Sequence, residues 1–276
     1  MGTESLKTAA WDIDLPDAWR TMRSAAASGA YNMALDAALL ATARDRGVGV
    51  WRTYAWERPT ISFGRNELVQ ARFDPESLAL AGLDSVRRPT GGRALLHAAE
   101  VTYSVALPIA DRTPWTAVYA AINVVLLTAL RHLGVRAELA SVHDTRALSP
   151  DGPVCFDRPA QGEIVVGEAK LVGSAVWRER GAYLQHGSIL LEDSQHLLRA
   201  AMRAPQPAPP PAASLSTCLP HTPTWDTVAT ALERALRDCV LTRQRGAVDD
   251  HAIHLDASTL ARLEMHFRDP AWLWRR

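Results

Sequence analysis

Residues 164–191 read IVVGEAKLVGSAVWRERGAYLQHGSILL. Two runs rich in Val, Ile and Leu, 164–166 and 170–177, flank Gly167-Glu168. Glycine at the first turn position suits a type II′ turn, so the stretch predicts a hairpin. A further apolar run at 183–191 predicts a third strand. Upstream, 50–54 and 60–63 read as strands around the turn Glu57-Arg58-Pro59, and 85–88 and 94–97 flank the break Gly91-Gly92 before another strand at 101–107. Between them, 32–46 carries apolar residues at helical spacing and stops at Gly47, 75–81 is a short helix, and 114–133 is a long helix ended by Gly134.

After the third strand of the 164–191 stretch, 194–202 predicts a helix. Residues 205–211 hold five prolines and cannot be helix or central strand. Helices follow at 224–241 and 257–267. The fold class is mixed α/β (α+β), with β-sheets packed by helices. The expected organisation is a catalytic domain over 1–204, a stiff linker over 205–211 and a small helical C-terminal portion over 212–276.

Composition narrows the function classes. The chain has 276 residues, 47% hydrophobic and 22% charged, which is ordinary for a globular protein and unlike a disordered or disulfide-dense chain. Thirty basic residues balance thirty acidic ones, which argues against a non-specific nucleic-acid partner. Cys155, Cys218 and Cys239 have no CxxC pattern and no regular spacing, so neither a disulfide framework nor a metal site is expected. The first twenty residues lack a basic segment followed by an apolar one, and the longest apolar run, 116–130, falls short of the roughly 18 residues of a membrane span. A cytoplasmic protein with no membrane partner is the expectation.

Three constellations carry chemistry. Only Lys7 and Lys170 are lysines, so 30 − 2 = 28 of the basic residues are arginines. Lysine is retained where a compact ammonium is needed, which singles out Lys170; the other reading is a leftover surface lysine. Fifteen residues earlier lies Cys155, followed by Phe156. A thiol beside a cation becomes a nucleophile, and a lysine can also steady an oxyanion; the other reading of Cys155 is an inert buried thiol. The second constellation is RRPTGGRALLH (87–97), where paired glycines let backbone approach a ligand and arginines supply positive charge; the other reading is a glycine-rich turn with solvated arginines. The third is LQHGS (184–188), where His186 lines a pocket or is a hydrogen-bonded core residue.

SGAYNMALDAALL (28–40), RRPTGGRALLHAAEVTYSVALP (87–108), CF (155–156), the 167–191 stretch and the terminal LEMHFRDPAWLWRR occur in one order. Together they resemble the biotin/lipoate protein ligase superfamily, and most closely the LipM-type octanoyltransferases. The resemblance implies the biotin/lipoyl protein ligase catalytic-domain fold with an acyl tunnel near the GG loop. It implies transfer of octanoyl from octanoyl-acyl-carrier protein to a lysine of a lipoyl-accepting protein, the glycine-cleavage H protein or a lipoyl domain, with no cofactor. By resemblance Cys155 accepts the acyl group and Lys170 contacts its carbonyl. Arg88, Gly91, Gly92 and His97 line the pocket, and Ser174, His186 and Gly187 lie beside the acyl group; from the residues themselves, Gly173 and Ser174 let substrate lie close to the strand. Arg23, Arg65, Arg178 and Arg180 are candidates for a rim that docks an acidic carrier.

Two positions differ from the family pattern. Ala98 stands where an acidic residue usually follows the loop histidine, and Gly64-Arg65-Asn66 resembles the GRNQ of ATP-dependent lipoate ligases. Arg93, in turn, replaces the third glycine of the ligase-type loop. The competing readings are an ATP-dependent lipoate ligase, an octanoyl amidotransferase between carrier domains, and a binding module for acylated carriers.

Overall fold

The computed structural model describes residues 13–140, 162–203, 211–241, 247–250 and 253–275. Helix α1 (Gly29–Arg46) forms because apolar residues recur on one face and both ends are capped. Ser28 accepts from the Tyr31 backbone N–H, and Gly47 adopts a left-handed φ of 69° while its N–H reaches the Ala43 carbonyl. Arg44 and Arg46 lie in the last turn, where cations oppose the negative end of the helix dipole.

Around α1 run β1 (Ala18–Arg23), β2 (Gly49–Tyr54), β3 (Thr60–Phe63), the short helix α2 (Pro75–Leu80), β4 (Asp84–Arg87), β5 (Leu95–His97) and β6 (Glu100–Pro108). Then come α3 (Trp115–His132), β7 (Glu138–Leu139), β8 (Ile164–Val166), β9 (Ala169–Glu179) and β10 (Ala182–Leu190). A 3-10 helix at Gln195–Ala201 stands where the sequence predicts a helix. The rest of the described chain holds α4 (Leu215–Cys218), α5 (Trp225–Leu241), β11 (Ala247–Asp249), α6 (Ala257–Arg268) and α7 (Pro270–Leu273).

Eight strands form one sheet in the order β11-β1-β2-β6-β10-β9-β8-β7, and three form a second, β4-β3-β5. The hairpin expected at 164–177 is β8–β9; its turn glycine, Gly167, has the positive φ such a turn needs, 60°. β9 and β10 pair antiparallel, as do β10 and β6, with Gly187 opposite both Ser174 and Tyr103. β1 and β11, which pair parallel with each other, are not foreseen by the sequence reading, nor is the parallel pairing of β1 with β2.

Helices α3 and α5 cover one face of the large sheet. Val118, Ile122, Val125 and Leu126 of α3 and Leu232 and Leu236 of α5 share a core with Trp51, Val105 and Tyr183 of the strands. Each fully buried aliphatic side chain of this kind contributes about 1.5–3 kcal/mol. The opposite face packs on α1, where Leu35, Leu39 and Ala43 meet Val50, Ala106 and Leu184. The segment beyond residue 211 joins these layers. α5 lies in the main core, α6 packs along α1 through Leu260, and β11 extends the sheet. Of the expected linker at 205–211, only Pro211 falls among the described residues.

Candidate active site

The two sheets meet around a narrow, mostly apolar cavity. Arg88, Gly92 and His97 from the GG stretch face Gly173 and Ser174 of β9 and His186 and Gly187 of β10 across it. Met33, Tyr54, Trp56 and Leu95 supply most of the apolar wall. Two glycines permit this approach of backbone to backbone. A methyl group on Gly64 would fall 1.8 Å from the Gly92 carbonyl oxygen, and one on Gly187 would fall 2.4 Å from that of Gly173.

Gly91 lies just behind the wall, its carbonyl taken by the Arg88 guanidinium at 2.8 Å. Arg88 also donates to the carbonyls of Ser62 at 2.7 Å and Arg93 at 2.8 Å. Arg88 is thus the internal brace of the loop, with its side chain committed to backbone carbonyls. Neighbouring Arg87, fully buried, reaches the Gly64 and Glu67 carbonyls on one side and those of Trp272, Leu273 and Arg275 on the other. Burial, reinforced by the nearby Arg275 charge, pulls its pKa down to about 10.

Two histidines stand in buried networks. His97 Nδ1 lies 2.7 Å from Glu100 Oε1 and its Nε2 lies 2.7 Å from the Ser62 hydroxyl, while its ring stacks on Trp56 at 4.0 Å. Thr102 and Ser188 hydroxyls donate to the same carboxylate. The acid partner absent at Ala98 is therefore supplied from Glu100, at the start of β6. His186 lies between Thr90 Oγ1 at 2.7 Å and Asp36 Oδ2 at 3.0 Å. Asp36, on the buried face of α1, also accepts from Arg52 at 2.7 Å and Ser104 at 2.7 Å.

Burial alone pushes the Asp36 carboxyl up, but the His186 hydrogen bond and the Arg52 charge outweigh it and hold the group below the usual carboxylate range. Burial lowers the His186 pKa, which favours the neutral ring. A neutral ring that donates from Nδ1 to Asp36 accepts at Nε2 from the Thr90 hydroxyl. The GG loop is thereby tied to β10.

Lys170 is 3% exposed, the second residue of β9, three residues before the cavity-lining Gly173. Its ammonium lies 2.7 Å from Glu163 Oε1. From the same region Tyr103 and Ser174 hydroxyls meet at 2.7 Å, and Gln185 bridges Tyr103 at 2.9 Å to Asn123 at 3.2 Å. Lys170 itself is not part of the cavity wall. Cys155 lies outside the described residues.

The four rim arginines are not brought together in one role. Arg23 is held by Glu233 and Asp226 of α5, and Arg178 donates to the Asp111 carbonyl. Arg65 stacks over Trp177 at 4.0 Å, near Arg275, which stacks over Trp272 at 3.9 Å. Arg180 is 95% exposed in its side chain.

Sequence reading passed over Ser62, Thr90, Glu100, Glu163, Asp36 and Arg52. For Asp36 a signal exists, since it falls on the apolar stripe of α1 with Met33, Leu39 and Leu40, where only a satisfied polar group is stable. Among the described residues no helix is long and apolar enough to cross a membrane, and no cluster of three His, Cys, Asp or Glu could hold a metal ion.

A sequence model of the lipoyl protein ligase A/B catalytic domain matches residues 28–237. The chain is 41% identical over 196 residues to an octanoyltransferase LipM of Kyrpidia tusciae, covering 68% of this chain and 71% of that protein. It is 39% identical over 186 residues to octanoyltransferase LipM of Bacillus subtilis, covering 64% and 66%. In shape it is similar to a bi-partite lipoate protein ligase of Thermoplasma acidophilum, with a TM-score of 0.71 at 18% identity over 92% of this chain and 95% of that one. It is also similar to LipL1 of P. falciparum in complex with lipoate, with a TM-score of 0.70 at 16% identity, covering 94% and 74%. The two structural likenesses establish the same fold.

Proposed function

The chain belongs to the lipoyl protein ligase A/B catalytic-domain family, and from that premise we propose that it is an acyltransferase of protein lipoylation that moves octanoyl groups. The donor is octanoyl-acyl-carrier protein, and the acceptor is a lysine of a lipoyl-accepting protein, the glycine-cleavage H protein or a lipoyl domain. The relatives named as octanoyltransferases support the octanoyl group. The observation that carries the reading is a narrow, mostly apolar cavity with a buried ammonium, Lys170, set on the strand that forms its wall. An acyl chain suits such an apolar cavity, and a charge-bearing donor on the strand that walls it suits an acyl carbonyl.

The reaction runs in two steps. Cys155, as thiolate, attacks the carrier thioester; its sulfur bonds to the acyl carbon, and the carrier thiolate leaves and takes a proton. Lys170 faces the oxygen that gains charge during attack. The neutral amine of the acceptor lysine then attacks the acyl-enzyme. A carbon–nitrogen bond forms, the Cys155–carbon bond breaks, and the amine gives up one proton to solvent. The first step exchanges one thioester for another and the second forms a more stable amide, so no nucleotide is consumed. Arg88, Gly91, Gly92, His97, Gly173, Ser174, His186 and Gly187 shape the acyl site.

Incubation with octanoyl-acyl-carrier protein and an apo lipoyl domain tests this directly. Octanoylation of the domain without ATP is the expected result. Modification that requires ATP, Mg²⁺ and free lipoate would instead make the protein a ligase, and use of octanoylated H protein as donor would make it an amidotransferase. Binding without turnover would make it a carrier-binding module.

A further inference from the structure

Lys170 carries an ammonium in a place where an ammonium is costly. At 3% exposure, desolvation pushes a lysine toward its neutral form, and a neutral lysine is a poor partner for an oxyanion. Glu163 lies opposite, itself 8% exposed, with Oε1 at 2.7 Å from Nζ. The two residues sit on facing arms of one hairpin, seven positions apart. Val165 pairs with Lys170, and Glu163, two residues before Val165, falls on the same face by strand alternation and so diagonally across from Lys170. Ile164 pairs with Val172, which leaves Leu171 as the extra residue on β9. The backbone of Glu163 is pinned as well, its carbonyl accepting from the Ala140 N–H at 2.8 Å.

The other titratable side chains facing this pair among the described residues are tyrosines. Tyr119 of α3 feels both the Glu163 and Lys170 charges, and Tyr103 of β6 lies behind it, hydrogen-bonded to Ser174. Burial, followed by the Glu163 charge, raises the Tyr119 hydroxyl above its usual value, so it stays neutral and cannot take over as anion.

We infer that Glu163 is a positioning residue, which the β8–β9 hairpin presents to Lys170 so that this lysine stays an ammonium, fixed in direction, on the strand that walls the acyl cavity. The role attributed to Lys170 rests on the proposed function, but its protonation can be read without any acyl substrate. The protein contains two lysines, Lys7 and Lys170. Lysine labelled with ¹³C at Cε therefore gives two signals, and Lys170→Arg assigns them.

In the wild-type protein the Lys170 signal remains in its charged form through pH 9. In Glu163→Gln, of nearly the same shape, its midpoint falls by at least about one pH unit while Lys7 is unmoved, and Glu163→Asp falls in between. The basic limb of the octanoyl-transfer pH profile falls by the same amount in Glu163→Gln. Identical Lys170 titrations in wild type and Glu163→Gln, or a Lys170 already neutral at pH 7 in the wild type, would overturn the inference. A wild-type protein with the expected titration but no octanoyl transfer would leave this pair standing and remove the proposed function instead.

Discussion

Glu100 Oε1 meets His97 Nδ1 at 2.7 Å, joining the first residue of β6 to the last of β5 across the two-residue link that contains Ala98. Glu100 is 4% exposed and also receives Thr102 and Ser188, while Trp56 reaches Thr102 at 2.7 Å. One carboxylate thus holds His97, two strands and the aromatic wall. Replacement by alanine strands three buried donors, and Glu100→Ala should lose about 3–5 kcal/mol of stability in urea unfolding, against about 1–3 for Glu100→Gln. Equal, small losses for both would mean that the carboxylate is not the organising acceptor.

The glycines around the cavity differ sharply in what they tolerate. Gly64→Ala drives a methyl into the Gly92 carbonyl and should destabilise by more than about 3 kcal/mol, with the GG loop displaced. Gly91→Ala meets nothing within 4 Å and should unfold at the wild-type urea midpoint. Thermal or urea melts of the two variants give the comparison.

Arg87 links the C-terminal turn to the loop after β3. Its guanidinium spans the carbonyls of Trp272, Leu273 and Arg275 and those of Gly64 and Glu67, and the Trp272 indole returns a bond to the Arg87 carbonyl at 2.9 Å. A lysine cannot reproduce this fork. Arg87→Lys should raise amide exchange at 272–275 at least tenfold, while exchange in α3 stays as in the wild type. Unchanged protection at the C-terminal turn would contradict the assignment.

Stability should fall as the medium becomes acidic, in two stages. The folded protein binds a proton at His186 less readily than the unfolded chain does, so stability is lost as pH drops from about 6.5 through the lowered value, at up to about 1.4 kcal/mol per pH unit. Asp36 is held ionised, so the stability it contributes is present above about 3.9 and is lost as pH falls through its lower folded value. Urea midpoints between pH 7.5 and 5 report the first stage. His186→Gln should flatten it relative to wild type; an unchanged slope would count against the neutral ring.

The hairpin at 164–177 and the strand after it are legible because apolar runs of strand length surround a turn glycine, and α3 because one face is continuously apolar. β1 is not legible, since its short sequence AWRTMR carries charge, and its partner β11 lies more than 220 residues away. Pairing at that range leaves no local signal. The same limit applies to the site. Lys170 stands out by the scarcity of lysine, and Gly64 and Gly187 owe their identity to contacts across the fold. Glu100 and Glu163 read as ordinary surface acids until the fold brings His97 and Lys170 against them, whereas Asp36 is marked by its place on the apolar stripe of α1.

The proposed transfer turns on Cys155 as the carrier of the acyl group. Intact and peptide mass spectrometry after brief exposure to octanoyl-acyl-carrier protein is the most direct test. The account predicts a gain of about 126 Da, one octanoyl group in place of a hydrogen, on the peptide containing Cys155; it discharges when apo lipoyl domain is added and is absent from Cys155→Ser. Transfer at the wild-type rate by Cys155→Ser, or transfer by the wild type with no adduct on that peptide, would contradict it.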